Sequence, residues 1–347
     1  MSSGLFGIYN SNRSDDKHWG KNCFNSSFPT SLACYMLTQN INAVYIRLDE
    51  NQKIICDKVP IQNVFNCKHK NPRKLFFSFE SIYEPYQAFS FDTIDCIDLV
   101  VKESNGAYLA PLEVKLTVLP TDATSSKPET EWGCELVVRS ATTSYCALGM
   151  FNAIHKHASE VREIFETACS SIQSWDNDYE MSHKTPQLTH CIDIFQKKYY
   201  RNQKPLLMQT IWKTQGKTPS LAEQAFDIVV WSDYAFSRLF LDSSYQTLNK
   251  MSRPMRATAR LARCLWELSK SGKIRLKDIY RQMAFDNQTD KEFAINGQRW
   301  RQYVNGERIT KPILPSSVVK EILDSDSFKK LSPERRFDQT LYFTMKS

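Results

Sequence analysis

Apolar and polar residues alternate along several short stretches of the chain, and this period-two pattern predicts β-strands. The clearest case is LAPLEVKLTVLP, residues 109–120, in which Leu112 and Val114 fall on one face of the predicted strand. The opposite face carries Glu113 and Lys115. An otherwise apolar strand therefore presents a carboxylate and an amine side by side.

The rest of the chain changes repeatedly between strand-like and helix-like stretches. Strands are predicted in INAVYIRLDENQKIICDKV, CIDLVVKE, CELVVRS, KPLLMQTIWKT and FDIVVWS. Helices are predicted in RKLFFSFESIYEPYQAF, which ends near Pro85, in HASEVREIFETACSSIQSW and in DYAFSRLFLDSSYQ. After Ser252 the pattern is mainly helical. This order predicts an α/β or α+β fold, with a central mixed β-sheet flanked by helices and a mainly helical C-terminal part.

Composition narrows the class of protein. The chain has 347 residues with 41% hydrophobic content, enough for a large core. The motifs G-x-G-x-x-G, G-x-x-x-x-G-K-S/T and G-x-S-x-G are absent, which disfavours dinucleotide enzymes, P-loop motors and α/β-hydrolases. Ten scattered cysteines without a C-x-x-C pair indicate reduced thiols rather than a zinc site. Because no secretory signal or membrane-length apolar run is present, we expect a soluble cytoplasmic protein with no membrane partner.

The strand at 109–120 has a predicted partner. The Asn-Gly dipeptide at 105–106 is typical of a two-residue type I′ hairpin turn. Such a turn places Ser104 opposite Ala107 and, by the same register, Asp98 opposite Glu113. Two carboxylates then face each other with Cβ atoms about 4.5–5.5 Å apart.

Facing carboxylates repel each other, and a divalent cation removes that repulsion. Mg²⁺ prefers oxygen ligands and keeps several waters, so Asp98 and Glu113 together with a substrate phosphate are a suitable donor set. Lys115 would orient or activate an attacking water, or stabilise charge at phosphorus. The pattern therefore predicts metal-assisted hydrolysis of a phosphodiester. The alternative is a solvated strand face with a cross-strand ion pair.

A family resemblance supports the catalytic interpretation. Asp98 followed by Glu113-Val114-Lys115 resembles the PD-(D/E)xK nuclease motif, with Ile97 in place of the proline. FDTIDCIDLVVKESNGAYLAPLEVKLTVLPT and EWGCELVVRSATTSYCALG resemble type II restriction endonucleases of the HindVP group. The resemblance implies a restriction-endonuclease-like fold and Mg²⁺-dependent cleavage of double-stranded DNA at a short palindromic, GRCGYC-like site. It also implies 5′-phosphate ends and a cognate DNA methyltransferase in the same restriction-modification system.

Several other residues are candidates for the site. Glu80, in a predicted helix, is a candidate metal-side carboxylate, or else an ordinary helix-surface residue. Arg139, on the CELVVRS strand, is a candidate phosphate contact. The polar WKTQGKT stretch offers Lys213, Gln215 and Lys217 for contacts with the DNA backbone or base edges, or forms an ordinary hairpin turn.

Positive charge is concentrated in the C-terminal third. Residues 251–311 contain 14 Lys or Arg against 6 Asp or Glu, which indicates a polyanionic partner. Arginines recur there at helical spacing, and two more flank Trp300; the candidate DNA contacts are Arg253, Arg256, Arg260, Arg263, Arg299 and Arg301. The alternative is a solvated basic face, or one paired with acidic helices. The stretch KIRLK at 273–277 would begin a helix-turn-helix-like unit.

We therefore expect a PD-(D/E)xK-like catalytic domain at 1–250 and a basic, mainly helical DNA-binding region at 251–347, which packs with the first part or stands apart from it. A palindromic target favours a homodimer with one active site for each strand. Two other functions stay open from the sequence. One is a repair or structure-specific nuclease of the same fold, and the other is a DNA-binding regulator without chemistry.

Overall fold

The computed structural model of the chain describes residues 21–71, 74–119, 136–215, 221–244, 252–282, 291–295 and 311–318. Within these ranges the strands are β1 (Ala43–Leu48), β2 (Ile54–Val59), β3 (Leu75–Ser81), β4 (Ile97–Glu103), β5 (Tyr108–Leu119), β6 (Leu136–Arg139), β7 (Pro205–Thr214), β8 (Leu221–Ser232), β9 (Lys291–Ile295) and β10 (Leu314–Pro315). The helices are α1 (Lys21–Thr38), α2 (Ile61–Val64), α3 (Glu84–Gln87), α4 (Ser140–Ile154), α5 (Ala158–Ala168), α6 (Asp178–His183), α7 (Thr185–Lys198), α8 (Asp233–Ser244), α9 (Arg253–Ser271) and α10 (Leu276–Gln282).

A mixed eight-stranded sheet forms the centre of the molecule. Its strand order is β2-β1-β8-β7-β5-β4-β3, and β10 pairs with β8 beside this path. The β1–β8 and β5–β7 pairs are parallel, whereas the other pairs are antiparallel. β6 and β9 form a separate two-stranded antiparallel sheet. The predicted fold class, a central mixed sheet flanked by helices, is confirmed.

Both faces of the sheet are covered. On one face, Leu112 and Val114 of β5 belong to a core that includes Leu32 and Met36 of α1. On the other face, Trp231 of β8 belongs to a larger core shared with α4, α5, α7, α8 and α9. The face of β5 that carries Glu113 therefore lies under a layer of helices, so it is not the open, solvated face of a half-buried strand.

Helix α9 is the central member of that layer, and its ends follow from the sequence. The Ser252 hydroxyl accepts a hydrogen bond from the main-chain N–H of Met255 at the start, and Gly272 ends the helix with a left-handed φ of +74°. α9 contacts α4, α5, α7 and α8. Within the described ranges, no helix is long and apolar enough to cross a membrane.

One predicted element is wrong. RKLFFSFESIYEPYQAF does not form a single helix, because residues 75–81 form strand β3 and only Glu84–Gln87 is helical. The alternation of Leu75 and Phe77 with more exposed neighbours buries one side of β3, and this period-two burial together with the aromatic content favours a strand. β3 then pairs with β4 in antiparallel register.

The β4–β5 hairpin is confirmed, but its turn differs from the predicted type. The N–H of Glu103 donates to the carbonyl of Ala107 (2.9 Å) and Gly106 adopts a φ of +89°, so the loop has three residues instead of two. This longer loop shifts the register by one. A bulge between Val101 and Lys102 shifts it back, so that Leu99 pairs with Leu112 as the predicted register requires.

Candidate active site

The two carboxylates and the amine of the β4–β5 hairpin form one cluster. Beyond the Leu99–Leu112 pair, the next residues on the two strands are Asp98 and Glu113. The Nζ atom of Lys115 lies 3.3 Å from Oδ2 of Asp98 and 3.4 Å from Oε2 of Glu113. We call Asp98, Glu113 and Lys115 the acid–lysine cluster.

A main-chain hydrogen bond and an ion pair hold the side chain of Asp98 in place. The N–H of Val114, on the neighbouring strand, donates to Oδ2 of Asp98 at 2.8 Å. Asp98 is therefore bound to β5 both through this N–H and through Lys115. Its side chain is 24% exposed, whereas that of Glu113 is only 9% exposed. The cluster thus has one buried acid and one acid that a solvent-borne substrate can reach.

Burial and mutual repulsion dominate the electrostatics. Burial is the main effect on Glu113, and together with the charge of Asp98 it raises the pKa of that carboxyl to about 8, although Lys115 acts in the opposite direction. For Lys115, burial favours the neutral amine, but Glu113 and Asp98 outweigh it and the pKa is raised. Two acids share one amine, so the cluster favours the addition of positive charge.

The donor set fits a hard divalent cation. Asp98 and Glu113 are adjacent carboxylates, and oxygen ligands of this kind are those that Mg²⁺ prefers. Within the described residues, no three His, Cys, Asp or Glu side chains group closely enough to hold a metal ion on their own. The set therefore suits a cation that takes its other ligands from water and from a substrate phosphate, as Mg²⁺ commonly does.

Glu80 lies on β3, the strand next to β4, and not on a helix as the sequence indicated. The β3–β4 pairing brings it level with Asp98, although Glu80 itself is skipped in the ladder and has a φ of +48°. Burial and Asp98 raise its pKa, whereas Lys115 and Arg139 lower it, so these groups are electrostatic neighbours. Glu80 is exposed and does not form a three-carboxylate group with the cluster in this structure.

Arg139 ends β6 immediately before α4, and its side chain is exposed. Its charge lowers the pKa of Glu80, so it is an electrostatic neighbour of that side chain, and its contact with a phosphate stays a prediction. One turn into α4, Tyr145 donates from its hydroxyl to the carbonyl of Cys96 at 3.1 Å. Because Cys96 is two residues before Asp98, Tyr145 supports the start of β4. No local sequence pattern predicts this role, because the contact joins residues 49 positions apart.

Two of the four candidate DNA-contacting arginines on α9 are buried and are therefore not presented to a duplex in this structure. Arg260 is 1% exposed and Arg263 is 3% exposed. Arg263 pairs with Asp176 (2.5 Å) and with Glu267 (2.9 Å), as the paired alternative supposes. α9 is surrounded by other helices, so its arginine face points into protein.

Arg256 is half-buried and Arg253, at the first turn of α9, is exposed. Lys213 and Gln215 lie at and just beyond the end of β7. Glu113 pairs with Leu207, so Lys213 is about 20 Å further along the sheet than the cluster. Lys217, Arg299 and Arg301 lie outside the described residues.

The chain is similar to known restriction enzymes along almost its whole length. Residues 19–347 match the HindVP restriction endonuclease family. The chain is 35% identical to the type II restriction enzyme HgiDI of Herpetosiphon aurantiacus, over 98% of this chain and 96% of that protein. It is 30% identical to the probable type II restriction enzyme HindVP of Haemophilus influenzae, over 97% of this chain and 92% of that protein. No solved protein structure matches it.

Proposed function

Since this chain belongs to the HindVP restriction endonuclease family and is a type II site-specific deoxyribonuclease, we propose that the acid–lysine cluster is its active site and that cleavage depends on Mg²⁺. The supporting observation is that Nζ of Lys115 lies within 3.4 Å of a carboxylate oxygen of both Asp98 and Glu113. These are the same three residues that match the PD-(D/E)xK motif.

Each residue of the cluster has a distinct task. Asp98 and Glu113 would hold the cation, which would supply a bound water of lowered pKa and polarise the phosphate. Lys115 orients the attacking water and stabilises charge on the phosphate oxygens. In-line attack then breaks the bond to the 3′ oxygen and leaves 5′-phosphate and 3′-hydroxyl ends. Glu80 and Arg139, which are electrostatic neighbours of each other, would assist with the metal and the phosphate respectively.

The substrate and partners follow from the family. We expect double-stranded DNA with a short palindromic site, GRCGYC-like as in the resemblance, cut by a homodimer with twofold symmetry. A DNA methyltransferase with the same target would protect host DNA, which places both enzymes in the cytoplasm.

Digestion of plasmid DNA tests the proposal. With Mg²⁺ we expect discrete fragments, and with EDTA no cleavage. Sequencing the fragment ends gives the recognition site, the stagger and the end chemistry together. A smear or junction-dependent cutting would indicate a repair or structure-specific nuclease instead.

The variant Lys115→Ala separates binding from chemistry. We expect it to bind duplex DNA but to cut at least about 100-fold more slowly, because it lacks the group that stabilises transition-state charge. The matched control is Lys198→Ala, which removes a lysine whose ion pair with Glu160 lies outside the hairpin and should leave the rate unchanged. Full cutting by Lys115→Ala would contradict the assignment, and binding without cutting by the unaltered protein would indicate a DNA-binding regulator.

A further inference from the structure

A second group of charged side chains lies beside the loop that leads into β4. Phe91, on this loop, is 56% exposed. The guanidinium carbon of Arg275 lies 4.9 Å from the centroid of its ring, and Nζ of Lys273 lies 5.7 Å from it. Lys277 follows in the first turn of α10 and is also exposed. We call Phe91, Lys273, Arg275 and Lys277 the basic platform.

Main-chain hydrogen bonds attach the basic platform firmly to the β4 loop. The N–H of Phe91 donates to the carbonyl of Ile274 at 2.9 Å, and the N–H of Ile274 donates to the carbonyl of Phe89 at 3.0 Å. The N–H of Lys277 donates to Oδ2 of Asp92 at 3.2 Å. Ile274 is fully buried and anchors the connection between α9 and α10. The platform is therefore attached to the loop that leads into β4, the strand that carries Asp98 of the acid–lysine cluster.

The cations of this segment face solvent, unlike the arginines of α9. Residues 270–281 carry five exposed cations and one carboxylate, Asp278, which pairs with Arg281. Within the described residues, Lys273, Arg275 and Lys277 form no ion pair. The carboxylate of Asp92, which accepts the main-chain N–H of Lys277, adds one negative charge nearby, so the segment keeps an excess of positive charge.

The geometry suits a polyanion with regularly spaced charges. Lys273 and Arg275 lie two positions apart in an extended connection, so their side chains leave the same side of the backbone about 6–7 Å apart. The ring of Phe91 restricts both cations from below, which lowers the entropy lost when they bind phosphate. Phosphates of a duplex offer such a row of negative charge, whereas an acidic protein surface would have to match it by chance.

We infer that the basic platform binds the phosphate backbone of duplex DNA beside the bond that the acid–lysine cluster cuts. The inference rests on the proposed function, which supplies the duplex as the substrate. Phe91 acts as a positioning residue, and Lys273 and Arg275 make the phosphate contacts. The platform thereby fixes where the duplex lies relative to β4, independently of base sequence.

The test measures binding of the full chain to a labelled duplex of random sequence in EDTA, over a range of salt concentrations. For Lys273→Ala/Arg275→Ala we expect the slope of log affinity against log salt to fall by roughly 2, since each phosphate contact contributes about 0.9. The matched control is Lys53→Ala/Lys58→Ala, which removes two exposed lysines at the β2 edge of the sheet. The control should keep the full slope.

Two further variants show whether geometry matters as well as charge. The exchange Lys273→Arg/Arg275→Lys keeps both charges and should keep the slope. Phe91→Leu keeps both charges and most of the apolar bulk but removes the ring, and should weaken binding about threefold. Thermal melts of every variant should match the unaltered protein, because all the substituted side chains are exposed.

The outcomes are distinguishable. An unchanged slope in Lys273→Ala/Arg275→Ala, or an equal fall in the β2-edge control, overturns the platform while plasmid cutting by the unaltered protein still supports the proposed function. A change of sedimentation mass without loss of DNA affinity assigns the platform to a protein contact and also overturns the inference. If the unaltered protein binds no DNA in EDTA and cuts none in Mg²⁺, both the platform and the proposed function fail.

Discussion

The acid–lysine cluster and the arginine pairs of the helical layer solve opposite electrostatic problems. Asp98 and Glu113 place two carboxylates against one amine. The helical layer has the same ratio of two acids to one cation, but there the buried member is the cation: the Arg238 side chain is 15% exposed, whereas those of Asp193 and Asp242 are 34% exposed. Arg263 is likewise held by two acids, Asp176 and Glu267.

This difference in which charge is buried distinguishes a candidate functional site from ion pairs that stabilise the fold. Each helical-layer arginine joins elements that are distant in sequence. Both of its acids are exposed enough to be hydrated, so the charges of the group are stabilised without a ligand. In the cluster, Glu113 is buried beside a second acid, which is unfavourable unless a cation joins the group. Proteins retain such unfavourable arrangements mainly where function requires them.

The largest expected effect that tests this contrast is in the cluster itself. We expect Glu113→Gln to reduce cleavage at least about 100-fold, because it removes a charged ligand of the cation. The same change should raise the free energy of unfolding in EDTA by about 1 kcal/mol, because the amide avoids the cost of burying an ionisable carboxyl beside Asp98. Plasmid cleavage and thermal melting measure the two effects.

The control for that variant is Glu103→Gln, on the neighbouring strand β4, where the carboxylate is paired with Lys70. It should leave cleavage unaltered and should not increase stability. If Glu113→Gln melts at a lower temperature than the unaltered protein, the two facing acids support the fold and the contrast is lost.

The helical layer should show the reverse behaviour. Arg263→Ala should lower the free energy of unfolding by about 2 kcal/mol, because it removes a buried side chain and leaves two acids without their cation. Cleavage per folded molecule should not change. Denaturant unfolding and initial cleavage rates are the measurements.

An exposed pair calibrates this effect. Arg162→Ala breaks the surface contact with Glu166 on α5 and should alter stability by no more than about 0.5 kcal/mol. If Arg263→Ala abolished cleavage in a protein that still folds, α9 would carry a functional charge after all.

The same contrast shows what the sequence can and cannot predict. The placement of Asp98 opposite Glu113 follows from a local hairpin, and it was predictable although two details were wrong. The loop has three residues and the strand has a bulge, and these two shifts cancel. Had only one of them occurred, the acids would have faced opposite sides of the sheet.

Which basic residues are buried and which are exposed could not be predicted in this way. Arg263 and Arg275 have similar basic surroundings in sequence, yet one is buried in an ion pair and the other is exposed over Phe91. Burial of α9 depends on its contacts with α4, α5, α6 and α7, which are distant along the chain. No charge count along a single segment contains that information. Long-range packing also explains why Tyr145 was missed.

Asp233 is an intermediate case that tests the comparison on a smaller scale. It is a buried acid at the start of α8, and its Oδ1 accepts from the N–H groups of Lys204 (3.0 Å) and Tyr234 (2.9 Å). Burial is the main effect and raises its pKa from 3.8 to about 7, against these hydrogen bonds and the charge of Lys204. The negative charge of Asp233 is thus stabilised by N–H groups, whereas in the cluster one lysine serves two acids and in the helical layer each arginine is paired with two hydrated acids.

The raised pKa makes a prediction about stability. A folded-state pKa above the unfolded value means that protonated Asp233 is compatible with burial, and stability is lost as pH rises through about 7. Between pH 6 and pH 8 this group should lower the free energy of unfolding by about 1 kcal/mol. The other titratable side chains in its field have raised pKa values and stay neutral in this range; they are Tyr45, Tyr86, Cys146 and Tyr234.

Asp233→Asn should remove that part of the pH dependence, because the amide cannot ionise. Denaturant unfolding at both pH values is the measurement. An unchanged pH dependence in this variant would mean that N–H groups alone satisfy a buried carboxylate here, and that the repulsion between two acids, rather than burial, is what sets the acid–lysine cluster apart.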